Sequence, residues 1–324
     1  MGAKRIEKDS LVSVIIPTYK GVNSLKRAID SVLDQSYENY ELIVIDDNNP
    51  DTIERQETEK LMLEYSNYDK VKYYKHCRNM NGATARNTGI KKAKGDIITF
   101  LDDDDYLLKH RVESSILYLI NNPEFIGVIT GVNIVDEDET LFQKNIPAEN
   151  LSIESLLLNE MAIGTGSNIF LKKEIYEKTK GFDESFIRRQ DIEFMIRACR
   201  EGTIGFISKI CIVKGNNGTL NHPTYMKMKN VIENFTLKFK SEITLLSDES
   251  KVRFYENQYN ILLLIALYER NYNNIKDAES LLKKYAKLSM KQKVLIFLYI
   301  NNLRDNAIIS YFIKLGKRLK SKYI

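Results

Sequence analysis

Short apolar runs rich in Ile and Val alternate with runs of helical period through the first hundred residues, and this alternation constrains the fold more than any other feature of the chain. "LVSVIIPTY" (residues 11–19) is β-branched and continuously apolar, the pattern of a strand covered on both faces. "VNSLKRAIDSVLDQ" follows, with Leu25, Ile29, Val32 and Leu33 on one helical face. "YELIVIDD" repeats the strand signal, and "NNPD" after it is a turn that opens the next helix. "VKYYKH" reads as a third strand, "GATARNTGIKKAKG" as a short helix ended by Gly95, and "DIITFLDD" as a fourth strand. Such strands, each followed by a helix, predict a parallel sheet in a doubly wound α/β layer. Ligands of these sheets sit beyond the carboxyl ends of the strands. Pro17 and Tyr19, Asp46 and Asp47, and the four residues from Asp102 to Asp105 then share one rim.

Strand-like runs such as "FIGVITGVNIV" and "GSNIFLK" continue more irregularly to about residue 213. Beyond Pro223 strand signals nearly vanish, no further proline occurs, and amphipathic stretches cover 226–243, 252–268, 274–288, 291–303 and 307–319. The expected organisation is an α/β catalytic domain over 1–222 and an all-helical accessory domain over 223–324. "YNILLLIALYERNYNNIKDAESLLKKYAKL" reads as a helix hairpin without the self-similarity of a repeat array. The end, "AIISYFIKLGKRLKSKYI", sets an apolar face beside Lys314, Lys317, Arg318, Lys320 and Lys322. It suits peripheral contact with anionic lipid, or a solvated helix packed on its neighbour.

Composition excludes several function classes. A net charge of +4 over 324 residues is too mild for a nucleic-acid partner, and 43% hydrophobic with 28% charged residues is ordinary for a soluble globular chain. Cys77, Cys199 and Cys211 are few and far apart, as free thiols of a reducing compartment are. They form no zinc spacing with His76, His110 or His222. The N-terminus carries no secretory signal, and no apolar run is long enough to span a bilayer. The expected location is cytoplasmic, with peripheral contact at the inner face of the membrane through the basic end.

Asp102, Asp103, Asp104 and Asp105 stand side by side at the end of the fourth strand. Neighbouring charges about 5 Å apart repel by on the order of 1 kcal/mol in water and by several times that when partly buried. Water can offset this, and so can a divalent cation, which takes oxygen ligands. Capping of a helix over 107–120 accounts for one or two of the four. Arg86 is either a surface ion-pair partner or a planar fork for diphosphate oxygens. Asp191, in "RRQDIEFMIRACR", is either a helix cap or a free base. "GTG" at 164–166 follows a helix and is no dinucleotide fingerprint, and no Walker-type loop occurs. Together these residues describe a nucleotide-diphosphate site with a metal, an arginine and a separate base.

The opening "VSVIIPTYKGVNSLKRAIDSVLDQSYENYELIVIDDNNPD", the block "NGATARNTGIKKAKGDIITFLDDDD" and the block "GFDESFIRRQDIEFMIR" resemble, in order, three motifs of the family 2 glycosyltransferases, which have the GT-A fold. The resemblance covers roughly the first two hundred residues. It implies that Pro17 and Tyr19 border the nucleobase, that Asp47 accepts from uracil N3–H, and that Arg86 lies near the phosphates. Asp102 and Asp104 fill the two ends of the DxD motif, Asp104 as the direct metal ligand, with Asp103 or Asp102 facing the ribose. Asp191 is implied as the general base, and the cofactor as Mn2+ or Mg2+. Where the family often has Glu-Asp, this chain has Gln190 before Asp191, and Glu193 is the fallback base. The implied reaction is inverting transfer of a sugar from a nucleotide donor, UDP-linked by preference, to a hydroxyl of a cell-surface glycan, a lipid-linked intermediate or a polymer precursor. His222 is either structural or able to reach the metal or diphosphate. A sugar-nucleotidyltransferase would show a glycine-rich triphosphate loop, which "PTYKGVNS" is not, and a non-catalytic nucleotide-binding scaffold would lack the base or metal ligands.

Overall fold

The computed structural model describes residues 5–135, 140–159, 163–215 and 223–300. Contacts divide the chain into two units, Met1–Ile153 with Met161–Thr219, and Glu154–Glu160 with Leu220–Ile324.

The first unit is built on a nine-stranded mixed sheet. Its first half runs β1 (Val12–Thr18), α1 (Val22–Leu33), β2 (Tyr40–Asp46), α2 (Ile53–Leu63), β3 (Val71–Lys75), α3 (Gly82–Lys92) and β4 (Ile97–Phe100). Then come β5 (Tyr106–Leu107), α4 (Arg111–Asn121), β6 (Gly127–Val135) and β7 (Leu141–Asn145). After α5 (Ile153–Leu158) and a 3-10 turn at Gly166–Asn168 follow β8 (Phe170–Lys172), α6 (Lys173–Thr179), α7 (Gln190–Cys199) and β9 (Ile204–Lys214). The spatial order is β3-β2-β1-β4-β8-β6-β9-β5, with β7 beside β6.

Strands β1 to β4 are parallel, as the alternating pattern requires. Val14, Ile15, Ile16, Val44 and Ile45 are fully buried, which is why both faces of these strands read as apolar. Pro17 interrupts the run without breaking the sheet. It pairs with Ile45 of β2 but lies past Ile15, the last β1 residue aligned with β4, so no ladder bond to β4 is lost. The sheet is not parallel throughout: β8 is antiparallel to both β4 and β6, and β5 is antiparallel to β9. Buried runs carry no mark of strand direction, so the sequence pattern cannot separate these cases. The helix expected over 107–120 begins at Arg111 instead, because Tyr106 and Leu107 pair with Val213 and Ile212 of β9.

The second unit holds α8 (Tyr225–Lys238), α9 (Lys240–Leu245), α10 (Asp248–Glu269), α11 (Tyr272–Lys283) and α12 (Met290–Ile300). Thr224, Ser247 and Asn271 cap α8, α10 and α11 through their side chains. A left-handed Arg270 closes α10 and turns the chain into α11, giving the hairpin predicted for this stretch. Ile232, Leu262, Leu263, Ala266, Ile275, Ala278 and Leu282 form its core. Segment 154–160 belongs to this unit: Ser250 Oγ donates to Glu154 at 2.6 Å and Asn257 Nδ2 to the Leu158 carbonyl at 2.8 Å. No helix among the described residues is long and apolar enough to cross a membrane. His222 and the basic stretch over 307–319 lie outside the described residues.

Candidate active site

The parallel strands β1, β2 and β4 end on one rim, and the loops leaving them carry the polar residues. Leu101 N still bonds to the Ile15 carbonyl, and the chain then turns so that Asp105 N bonds to the Asp102 carbonyl at 3.0 Å. The four carboxylates thereby point to four different environments.

Asp102 pairs with Arg86, Nη2 to Oδ1 at 2.5 Å, and its Oδ2 lies 3.2 Å from Thr165 Oγ1, whose hydroxyl is closer to Asp105. Asp103 accepts from Thr18 Oγ1 at 2.6 Å and from Tyr19 N at 3.2 Å, which ties the carboxylate loop to the end of β1. Gly21 leaves room for this: a Cβ there would stand 2.0 Å from Asp103 Oδ2. Desolvation pushes Asp103 up to about 7, reinforced by the charges of Asp104 and Asp102 and opposed by the Thr18 hydroxyl. Desolvation and the Asp102 charge push Asp104 up to about 6, against the pull of Lys214 and Arg27. Arg27 Nη2 donates to the Asp104 carbonyl at 3.1 Å.

Asp105 differs from the other three. It is fully buried, accepts from Ser167 Oγ at 2.6 Å and from Thr165 Oγ1, and its Oδ1 has no partner among the described residues. Burial above all holds it well above the usual carboxylate range. It caps no helix, since α4 starts six residues later with His110 at its N-cap.

Asp46 and Asp47 are also interior. Asp46 pairs with Arg55 of α2 at 3.0 Å, accepts from Tyr73 Oη at 2.5 Å, and accepts from Asn48 N at 2.9 Å. Asp47 is nearly inaccessible. Its Oδ1 meets His76 Nδ1 at 2.6 Å and Met80 N at 2.9 Å; its Oδ2 meets Asn79 Nδ2 at 2.8 Å and Asn81 N at 3.0 Å. Both oxygens thus have two donors each. As it stands, Asp47 shapes the 76–81 loop that starts α3, and direct contact with a base edge requires one of those donors to give way. Tyr19 is exposed on the same rim, with Lys20 Nζ 5.4 Å from its ring centroid, and Pro17, two residues earlier, is half-buried.

Asp191 is the second residue of α7, which follows a left-handed Arg189 with φ 59°. Its Oδ1 accepts from the adjacent Ile192 N at 2.9 Å, and it is half-exposed. Burial pulls the Arg189 guanidinium down to about 10, with the Asp191 charge acting the other way. Glu193 is fully buried and grips Arg197 in bidentate fashion at 2.6 and 2.8 Å, so it is committed to that ion pair rather than open to an acceptor. Gln190 accepts from Arg86 Nη1 at 3.1 Å, linking α7 to the Asp102 pair.

Sequence reasoning singled out neither Thr165 and Ser167 nor Arg27, Lys214 and His76. Thr165 lies in the rejected "GTG" stretch and Ser167 directly follows it, and a Cβ on Gly166 would stand 3.3 Å from Arg86 Nη2. Small residues next to hydroxyls there were the available signal.

Residues 13–180 match the family described as glycosyl transferase family 2. The chain belongs to this family. A Rickettsia felis protein described as an uncharacterized glycosyltransferase is 28% identical over 283 residues, which is 86% of this chain and 45% of that protein. The amylovoran biosynthesis glycosyltransferase AmsB of Erwinia amylovora is 33% identical over 204 residues, 60% of this chain and 66% of AmsB. A Rickettsia bellii relative is covered over 29% of its length, so the chain spans less than half of these Rickettsia proteins. Among solved structures, S. aureus TarS aligns with TM-score 0.61 and 16% identity over 88% of this chain and 50% of TarS. A TarS fragment in complex with UDP-GlcNAc aligns with TM-score 0.55 and 14% identity over 90% of this chain and 92% of the fragment. That likeness shows the fold: a GT-A-like mixed α/β domain with a C-terminal helical region.

For this family 2 glycosyltransferase the divalent cation is a question of fit. No three His, Cys, Asp or Glu side chains converge as a ready metal cage among the described residues. Asp104 nevertheless suits one. Its carboxylate is raised by desolvation and by Asp102, and no side chain among the described residues donates to it. Mg2+ binds in this way, through one or two carboxylates, the substrate's phosphates and water. Asp102, already paired with Arg86, is the less available of the two.

Proposed function

We propose that the protein is a metal-dependent inverting glycosyltransferase. It moves a sugar from a UDP-linked donor to a hydroxyl of a cell-surface glycan or its precursor. The observation that carries the reading is the Arg86 guanidinium, which joins Asp102, two residues before Asp104, to Gln190, the residue before Asp191 at the start of α7. Family membership supports the reaction class, and the UDP-GlcNAc complex of TarS supports a uridine donor. The amylovoran role in the name of AmsB supports a surface polysaccharide as acceptor.

In this mechanism Arg86, a planar two-pronged donor, orients the diphosphate and stabilises the charge that builds on it as the sugar leaves. Asp104, with Asp102 beside it, would hold Mn2+ or Mg2+, which supplies charge neutralisation at the same phosphates. Asp191 accepts the proton of the acceptor hydroxyl as that oxygen forms its bond to the anomeric carbon. The bond from that carbon to the phosphate oxygen breaks, and the electron pair leaves with UDP. Attack opposite the leaving group inverts the anomeric centre. The nucleobase rests beside Pro17 and Tyr19, on the rim that also carries the loop Asp47 organises. Any membrane contact is assigned to the basic end at 314–322.

The test is UDP release from a panel of UDP-sugars offered with candidate acceptors, with and without EDTA. Release that requires acceptor and is lost with EDTA is expected; release from none of the donors overturns the reading.

A further inference from the structure

Arg86 is held in an unusual way for a residue that must meet a ligand. Its Nη2 lies 2.5 Å from Asp102 Oδ1, and its Nη1 lies 3.1 Å from Gln190 Oε1. Its Nε is buried without a hydrogen-bond partner among the described residues. The two outer nitrogens of one rigid fork therefore join the carboxylate loop to the first residue of α7. Two glycines seal the joint. A Cβ on Gly82 would stand 3.0 Å from Nη1 and 3.1 Å from Gln190 Oε1, and one on Gly166 would stand 3.3 Å from Nη2 and 3.4 Å from Asp102 Oδ2. The Phe182 ring, 5.7 Å away, backs the guanidinium.

Gln190 is itself fixed, because its Nε2 donates to the Phe186 carbonyl at 2.7 Å. That bond orients the amide so that its oxygen, and not its nitrogen, faces Arg86. An amide oxygen can accept from the fork without dividing its charge, whereas a carboxylate in the same place would compete with Asp102 and with any phosphate for the same cation.

We infer that Gln190 is a positioning residue. It aims Arg86 at Asp102 and the donor diphosphate, and through the same bond fixes the start of α7, where Asp191 lies, against the carboxylate loop. The inference rests on the proposed transferase reading. It explains what the neutral side chain does at a position where a carboxylate would be expected: it orients the arginine and leaves its charge for the donor.

The experiment is a double-mutant cycle on steady-state kinetics, with the wild type, Gln190→Leu, Arg86→Leu and the double variant, checked for folding by thermal melting. Gln190→Leu is expected to lower kcat by about 10–100-fold, the scale of a small misplacement of reacting groups, with donor KM changed less than about threefold. In the Arg86→Leu background the same change is expected to cost less than about twofold, because coupled partners are not additive. Gln190→Glu keeps an acceptor for Arg86 but sets a second negative charge on it, so donor KM is expected to rise and kcat to stay below wild type. Equal cost of Gln190→Leu in both backgrounds overturns the inference. So does a Gln190→Glu variant with kcat and donor KM both at the wild-type level, which would show that the neutral amide spares no charge for the donor; this second comparison decides the matter if the leucine variant does not fold. Absence of wild-type turnover would instead count against the proposed function and remove the inference with it.

Discussion

Asp47 shows how a side chain can match a family motif and still owe its first allegiance to the fold. Two backbone N–H groups, an amide and an imidazole all converge on it. Asp47→Asn would set an amide N–H2 against existing donors. The expected loss of stability is about 2–3 kcal/mol by chemical denaturation, larger than an exposed base-reading residue would give. A loss below about 0.5 kcal/mol, the range of ordinary surface changes, would return Asp47 to a purely ligand-facing role. Asp103 and Asp104 carry a different signature. Both are raised, to about 7 and about 6, above the ordinary value near 3.9 that they regain on unfolding. The folded state thus binds their protons more tightly, and their contribution to stability is present in acid and lost as pH rises through 6 to 7. Cation-free protein is expected to melt at a lower temperature at pH 8 than at pH 5.5 on their account. Added Mn2+, which binds the ionised form, should raise the midpoint more at pH 8, as thermal scans with and without EDTA would read. An equal Mn2+ effect at both pH values would contradict this assignment.

Among the elements, the turn at Gly166–Asn168 matters most to the site. Ser167 Oγ donates to Asp105 Oδ2 at 2.6 Å and accepts from Asp102 N at 2.9 Å, bracing the carboxylate loop from behind. Ser167→Ala strips both partners inside a buried cluster. A destabilisation of about 1–3 kcal/mol is expected in urea denaturation, the cost of leaving buried polar groups unmet. An unchanged midpoint would show that the loop holds its shape without the brace. None of this is legible in the sequence, because Ser167 and Asp105 are sixty-two positions apart and only the β4–β8 pairing brings them together. Strands β1, β2 and β4 and helix α1 were legible, since their apolar periods are local and strong. The start of α4 was not: Leu107 fits the helical face that follows it, and its pairing with Ile212 of β9 is set by tertiary contact. Asp46 likewise looked like part of the rim, and its true partner, Arg55, sits on the next helix.

For the whole molecule, the two-part organisation follows from a change of period, from two-sided apolar strands to helices that pack on one another. The first part presents acidic and basic groups, drawn from three separated motifs, at the ends of its parallel strands; the helical part carries no comparable convergence of titratable groups among its described residues. The central claim is that the rim of the first part passes a sugar to a hydroxyl that Asp191 deprotonates. The most direct measurement is product formation by Asp191→Asn beside UDP binding by calorimetry in the presence of Mn2+. The account predicts a fall in turnover of about 10²–10⁴-fold, the usual worth of a general base, with UDP affinity held near that of the wild type. Turnover close to wild type in that variant would contradict it.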